Sequence, residues 1–201
     1  MPLTPEITVA RAGDAETIAE MSRRLVETGL PWTWTPARVA RHMHHPESLV
    51  VAARSTDGET PALAGFAIMH FGDDIAHLNL LAVDYHWQRR GLGRRLVEWL
   101  ERSAITAGTF SLCLEVRARN PVALLFYREL GFEETGRVPR YYSGREDALR
   151  LSKDLRHPRS RGWPDLDLLP GSEDRAEPRQ SVADWLTTRF RLQERTGRGD
   201  A

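Results

Sequence analysis

Apolar positions along the first 155 residues recur in two periods, and the switches between them mark alternating strands and helices. Ile7 to Arg11 reads as a short strand. Gly13-Asp14 then opens a helix in which Ile18, Met21 and Leu25 share a face, with Asp14 placed as N-cap. Thr28-Gly29-Leu30-Pro31 breaks it. After the aromatic loop Pro31-Trp32-Thr33-Trp34-Thr35-Pro36, a second short helix runs to about His45. Leu49 to Ala53 and Ala62 to Phe71 read as a hairpin around the turn signal Asp57-Gly58. Gly72-Asp73-Asp74 leads into a strand from Ile75 to Val83. Strict alternation there puts His77, Asn79, Leu81 and Val83 on one face, with Leu78, Leu80 and Ala82 on the other.

From Gly91 to Ala107 the period changes to that of a helix. Leu92, Leu96, Leu100 and Ala104 form the core-facing stripe, joined by Val97 and Trp99. The strand from Phe110 to Arg117 turns Phe110, Leu112, Leu114 and Val116 one way, and Ser111, Cys113, Glu115 and Arg117 the other. Asn120-Pro121 starts a helix, as N-cap and first residue, and Gly131 ends it. Phe132 to Arg137 and Ala148 to Leu151 supply the last strands, separated by a corner at Arg140-Tyr141-Tyr142. This order predicts one α/β (α+β) domain over residues 1–155, a mixed, mostly antiparallel sheet flanked by helices. Residues 156–201 hold 4 of the 12 prolines and charges of alternating sign, which predicts a mobile C-terminal extension. Within it Ser181 and Asp184 resemble a capping box ahead of Val182, Trp185, Leu186 and Phe190, a short amphipathic helix near 181–193.

Composition narrows the class. With 41% hydrophobic and 28% charged residues the chain reads as an ordinary soluble protein. Lys+Arg and Asp+Glu balance at 28 each, so the whole-chain charge points to neither nucleic acid nor a membrane surface. Lys153 is the only lysine, a compositional bias without mechanistic content. Cys113 is the only cysteine, which excludes an intramolecular disulfide and a multi-cysteine zinc site. No basic N-terminal segment precedes an apolar run, and no run approaches the roughly 20 residues that span a bilayer. The expected location is the cytoplasm, and nothing in the pattern sets an oligomeric state.

The candidate chemistry begins where the strand Leu80-Leu81-Ala82-Val83 runs through Gln88-Arg89-Arg90-Gly91-Leu92-Gly93 into the long helix. Backbone N–H groups at the positive end of a helix dipole suit a phosphate. Gly91 and Gly93 would let it approach the backbone, while Arg89, Arg90, Arg94 and Arg95 add positive charge. A dinucleotide fingerprint needs a third glycine where Leu96 stands, and a phosphate loop ending Gly-Lys-Ser/Thr is absent. His42, His44 and His45 lack a carboxylate or cysteine at ligand spacing and would point apart on a helix. They are expected to be a solvated face, with no metal.

Gln88-x-x-Gly91-x-Gly93, preceded by Ala82-Val83-Asp84 and followed by Asn120 and Phe126-Tyr127, resembles the acetyl-coenzyme A signature of the GNAT N-acetyltransferases. Leu114-Glu115-Val116-Arg117, Leu130-Gly131-Phe132, Arg140, Tyr141-Tyr142 and Gly144 to Ala148 narrow the likeness to the RimI type, which acetylates the N-terminal alanine of a ribosomal protein. It covers residues 5–155. The resemblance implies a GNAT-like domain with acetyl-CoA as co-substrate and no metal. It implies cofactor contacts at Leu81, Ala82, Val83, Gln88, Arg89, Arg90, Gly91, Leu92, Gly93 and Arg94, with Asn120 holding the pantetheine arm. Tyr127 would protonate the leaving thiolate and Glu115 would be the general base, with His77 as the second choice. Trp32, Tyr141 and Tyr142 would border the acceptor amine.

Plainer readings stand beside these. Trp32 and Trp34 could cover the sheet edge, Tyr127 could pack as a helix aromatic, and Glu115 could pair with Arg117, Arg119 or Arg145. Energetics bear on the acceptor. At pH 7 an α-amine of pKa about 7.8 costs about 1 kcal/mol to deprotonate, and a lysine of pKa about 10.4 costs about 4.6. One carboxylate suits the first task, so a protein N-terminus is the expected acceptor. A small-molecule amine is the alternative, as is a non-catalytic acyl-CoA-binding module with a partner-binding tail. The RimI type ends near Leu155, so the tail departs from it.

Overall fold

The structure, a computed structural model, describes residues 4–55 and 62–156. Its elements in chain order are β1 (Glu6–Val9), α1 (Ala15–Leu25), α2 (Pro36–His44), β2 (Ser48–Ser55), β3 (Ala62–Phe71) and β4 (Ala76–Val83), then α3 (Leu92–Thr106), β5 (Ser111–Arg117), α4 (Pro121–Glu129), β6 (Glu133–Tyr142) and β7 (Glu146–Asp154). The expected Asp57-Gly58 turn and the helix near 181–193 lie outside the described residues.

The helical stripe does what its spacing predicts. Leu92, Leu96, Val97, Leu100 and Ala104 of α3 are buried, and Trp99 packs partly against them. They meet Leu112, Leu114 and Val116 of β5 together with Leu124 and Tyr127 of α4 and Leu130, its C-cap. The second core, on the opposite face of the sheet, joins Ile18, Ala19 and Met21 of α1 and Val39 of α2 to Val50, Phe66, Ile68, Leu80 and Ala82. Truncating a fully buried leucine such as Leu96 to alanine should cost about 2–5 kcal/mol. Among the described residues no helix is long and apolar enough to cross a membrane.

Caps set the helix starts. Thr35 accepts the Arg38 N–H and Asn120 the Ala123 N–H, and each is followed by a proline at the first helical position. Asp14 does not cap α1 with its side chain. Its carboxylate accepts the Arg11 N–H and pairs with Arg54 of β2, so it ties the strand–helix junction to the sheet.

Seven strands pair in the order β1-β2-β3-β4-β5-β7-β6. Every pairing is antiparallel except β4 with β5, which touch only at Ala76↔Leu112 and His77↔Cys113. Beyond His77 the two strands part, and β4 from Leu78 to Val83 has a strand partner on its β3 side alone. A β-bulge also corrects the expected alternation of β4. Leu78 pairs with Met69 and Leu80 with Ile68, so Asn79 is an extra residue. It turns Ala76 and Leu78 toward the α3 core but Leu80 and Ala82 toward the α1 core. The expected Arg140-Tyr141-Tyr142 corner is instead the end of a longer β6, whose register shifts between Val138 and Tyr142 with Arg140 at φ 55. Ser143 and Gly144 make the turn.

Candidate active site

The parting of β4 and β5 places two features side by side in the chain: a strand edge without a partner and the start of α3. Gly91 takes the left-handed conformation (φ 81) that lets the chain swing into α3, and Arg89 also has positive φ (60). The first backbone bond of the helix is from the Arg95 N–H to the Gly91 carbonyl, and no side chain caps this end. The amides of Leu92, Gly93 and Arg94 therefore have no acceptor within the helix, as an anion site requires. Arg89, Arg90 and Arg94 are exposed there, Arg90 lying over the Trp87 ring.

Three expected contacts act differently. Gly93 does not serve ligand approach alone, because a Cβ there would meet the Phe126 ring at 3.2 Å and so its absence lets α3 and α4 close up. Arg95 donates to the Pro5 carbonyl at 3.0 Å, away from the turn. The Gln88 side-chain amide donates to the Val83 carbonyl at 2.9 Å and braces the loop against β4. Asn120, as N-cap, uses its side-chain oxygen internally, accepting the Ala123 N–H at 3.0 Å.

Glu115 lies on the other side of the gap, on the face of β5 that alternation predicts. Its side chain is 2% exposed. His77 Nε2 lies 2.6 Å from Oε2, and Arg150 Nε donates to Oε1 at 2.9 Å. The expected ion partners Arg117, Arg119 and Arg145 are not the ones used. Arg117 turns to Glu146 and to the carbonyls of Val26 and Thr28, which holds the loop after α1 against the sheet. Burial pushes the Glu115 carboxyl up, but hydrogen bonds and charge from His77 and then Arg150 outweigh it, so it lies below its ordinary 4.5. His77 Nδ1 is 2.7 Å from Asn79 Oδ1. The orientation of the Asn79 amide decides which ring nitrogen carries hydrogen: turned so that its NH2 donates to Nδ1, it leaves an Nε2–H to donate to Glu115.

Aromatic hydroxyls close the site. The Tyr142 hydroxyl donates to the Glu115 carbonyl at 3.2 Å. Burial, followed by the Glu115 charge, pushes the phenols of Tyr141 and Tyr142 above their ordinary value. Tyr141 is nonetheless 36% exposed as a residue. Tyr127 is buried edge-on between Phe126 and Phe132. Burial raises its phenol, with Tyr142 adding to the rise. Its hydroxyl makes no hydrogen bond among the described residues, where no fully buried side-chain polar atom is left unpaired, so that oxygen reaches solvent.

In the loop after α1, Trp32 and Trp34 separate. Trp34 is core, with Arg38 stacked 4.2 Å from its ring centre. Trp32 is exposed and lines a cavity of about 490 Å³ with Glu20, Arg23, Arg24 and Glu27. Glu27, which periodicity does not single out, is buried. It accepts hydrogen bonds from the Thr33 N–H and hydroxyl, the Trp34 N–H and the Ser22 hydroxyl, which sets the loop's path. Cys113 is buried, its thiol pushed up by burial and then by Glu115, and serves as a small core residue. The three histidines point apart as expected, though not all into solvent. His42 bonds Ser48, His44 the Ala40 carbonyl, and His45 lies against His70.

Residues 18–132 match the model of the Acetyltransferase (GNAT) family, and the chain belongs to that family. Among its relatives, the N-alpha-acetyltransferase RimI of Mycobacterium tuberculosis is 34% identical over 148 residues, covering 72% of this chain and 89% of that one. The ribosomal protein bS18-alanine N-acetyltransferase of Salmonella typhimurium is 46% identical over 93 residues, 45% of this chain; the match spans 63% of that relative's length. The crystal structure of the ribosomal-protein-S18-alanine N-acetyltransferase from Escherichia coli superposes with a TM-score of 0.63 at 30% identity, covering 75% of this chain and 94% of the other.

Proposed function

We propose that the protein transfers an acetyl group from acetyl-CoA to a primary amine, the α-amine at a protein N-terminus. The observation that carries this is the gap itself. An unpaired β4 edge at Leu81 to Val83 runs beside the unpaired first-turn amides of α3, and a buried carboxylate–imidazole pair stands across from them. The strand edge offers hydrogen bonds to an extended amide-bearing arm, and the helix start with Arg89, Arg90 and Arg94 offers them to a pyrophosphate. Asn120 adds an NH2 donor on the α4 side. Bound there, the thioester supplies the acetyl group. Backbone N–H groups of β4 polarise its carbonyl.

The amine proton goes to the His77–Glu115 pair. A carboxylate held below 4.5 falls more than about 3 units short of an α-ammonium near 7.8, so Glu115 alone is a poor acceptor. As partner of an imidazolium, a carboxylate of low pKa is what the role requires. With Nε2–H donating to Glu115, His77 takes the proton at Nδ1 and gives up its contact with the Asn79 amide, Glu115 balances the charge on the ring, and Arg150 fixes the carboxylate. Tyr127 serves the departing sulfur. With its phenol raised above 10 against a thiol near 8.5, full transfer is uphill, so it works by hydrogen-bonding the developing thiolate. Trp32, Tyr141 and Tyr142 line the acceptor side.

The relatives named for protein N-termini support an α-amine acceptor. Coenzyme A release, with the product mass, should be followed on three acceptors: a peptide with a free N-terminal alanine, the same peptide blocked at its N-terminus and carrying lysine, and small primary amines. Preference for the first is expected. Turnover only with the small amines would overturn the acceptor, and no release from any would overturn the activity.

A further inference from the structure

We infer that His45, Glu47 and His70 form a binding site for a divalent transition-metal cation, of which Zn²⁺ is the chemical type. α2 ends at His44, and His45-Pro46-Glu47 leads directly into β2. Ser48, the first residue of β2, pairs across the ladder with His70 of β3, and the Phe71 N–H donates to the Glu47 carbonyl at 2.7 Å. Backbone pairing thus sets Glu47 and His70 beside one another. One ligand atom from each of the three residues falls within 4.8 Å of the other two, and His70 Nε2 lies 3.7 Å from Glu47 Oε2. In a tetrahedral site with bonds of about 2.0–2.1 Å the ligand atoms lie roughly 3.3 Å apart, so a small inward turn suffices. His45 and Glu47 are exposed and can make it, His45 giving up its contact with the Glu47 N–H (3.2 Å).

What sets this apart from a chance surface cluster is the support behind His70. Its Nδ1 lies 3.2 Å from the Ser48 hydroxyl, which lies 3.0 Å from His42 Nδ1. Burial first, and then the charge of Arg38, push His42 down to about 4, so near pH 7 it is neutral. In one of the two directions this chain of contacts permits, His42 Nδ1 accepts the Ser48 proton and the Ser48 oxygen accepts the His70 Nδ1–H. In that direction the relay holds His70 in the tautomer whose Nε2 carries the lone pair a metal ion needs. Outer hydrogen bonds do this for metal-bound imidazoles. Two imidazoles and one carboxylate suit Zn²⁺, Co²⁺ or Ni²⁺ better than Mg²⁺ or Ca²⁺, which favour all-oxygen sets. Three protein ligands leave the fourth position to water. The bound ion would clip the α2–β2 junction to β3.

The test uses the full-length, tag-free chain with CoCl2 and ZnCl2. Equilibrium titration should give one tight site, Co²⁺ should show the intense visible bands of a tetrahedral centre, and Zn²⁺ should raise the melting temperature. Glu47→Gln and His45→Gln alter exposed side chains and should leave the metal-free melt unchanged while weakening binding tenfold or more. Co²⁺ spectra and affinities unaltered by both substitutions would place the ion elsewhere and overturn the site. So would the absence of stoichiometric binding by the parent.

Discussion

His77 Nε2 and Glu115 Oε2 lie 2.6 Å apart, so the two residues that the sequence offers as rival bases are the two ends of one hydrogen bond. If they work as a unit, their losses will not multiply. Glu115→Gln and His77→Gln should each slow turnover by roughly 10²-fold or more near neutral pH, and the double variant should fall little further. Each should partly recover as pH rises and free amine accumulates. The check is a pH–rate profile of all three variants. Multiplicative losses would mean two independent roles.

The same pair links stability to acid. The Glu115 carboxyl is held below its ordinary 4.5, so its contribution is fully present above about pH 4.5 and is lost as pH falls through the lowered value. Breaking a buried pair costs about 3–5 kcal/mol. Glu115→Gln should therefore be less stable by about that much at pH 7, with the gap to the parent narrowing below pH 4.5. Urea melts across that range measure it. A gap of constant size would assign the loss to packing instead.

Tyr127→Phe separates chemistry from packing. The hydroxyl bonds nothing among the described residues while the ring sits between Phe126 and Phe132. The melt should stay within about 0.5 kcal/mol of the parent, while turnover falls by about 10²-fold. No recovery is expected at high pH, since more free amine does nothing for the departing sulfur.

The two glycines of the turn should fail in different ways. Gly91 faces open space but holds φ 81, so Gly91→Ala should cost about 1 kcal/mol in backbone strain. Gly91→Asp adds a negative charge beside the first-turn amides, and calorimetry should show acetyl-CoA affinity reduced more than tenfold. Gly93→Ala should act on stability, by pressing a Cβ against Phe126. Unchanged acetyl-CoA affinity in a folded Gly91→Asp protein would sink the anion site.

Truncation after Arg156 should leave a cooperatively folding domain. Leu155 is buried, its N–H donates to the Phe110 carbonyl at 2.8 Å, and among the described residues the buried positions of both cores lie at or before it. Loss of a cooperative melt would make residues 157–201 part of the fold.

Much of this architecture was legible because local periods carried it. The α3 stripe and the two faces of β5 follow from spacing alone, and Asn120-Pro121 announces its own helix. Where the reading failed, one residue or one distant strand decided the outcome. The extra Asn79 reverses the facing of half of β4, and no alternation pattern contains it. Glu115 was visible as a carboxylate inside an apolar strand, but its partners come from β4 and β7, which only the strand order brings together. His70, a ligand of the proposed cation site, escaped for the same reason, whereas Glu47 stands only two residues from His45. The histidines were read as a helix face, and the partner that matters stands across a β ladder.

Lys153 was set aside as compositional, yet its surroundings have a chemical consequence. A reactive thioester acylates any neutral, exposed ε-amine it meets, without an enzyme's help. This chain has one such group in 201 residues, and it is held 2.6 Å from the Glu101 carboxylate with its side chain 10% exposed. Elsewhere the positive charge is guanidinium, which stays protonated and does not act as a nucleophile. If acetyl-CoA binds in the open sheet as proposed, the side chains around it offer that reagent almost no lysine nucleophile.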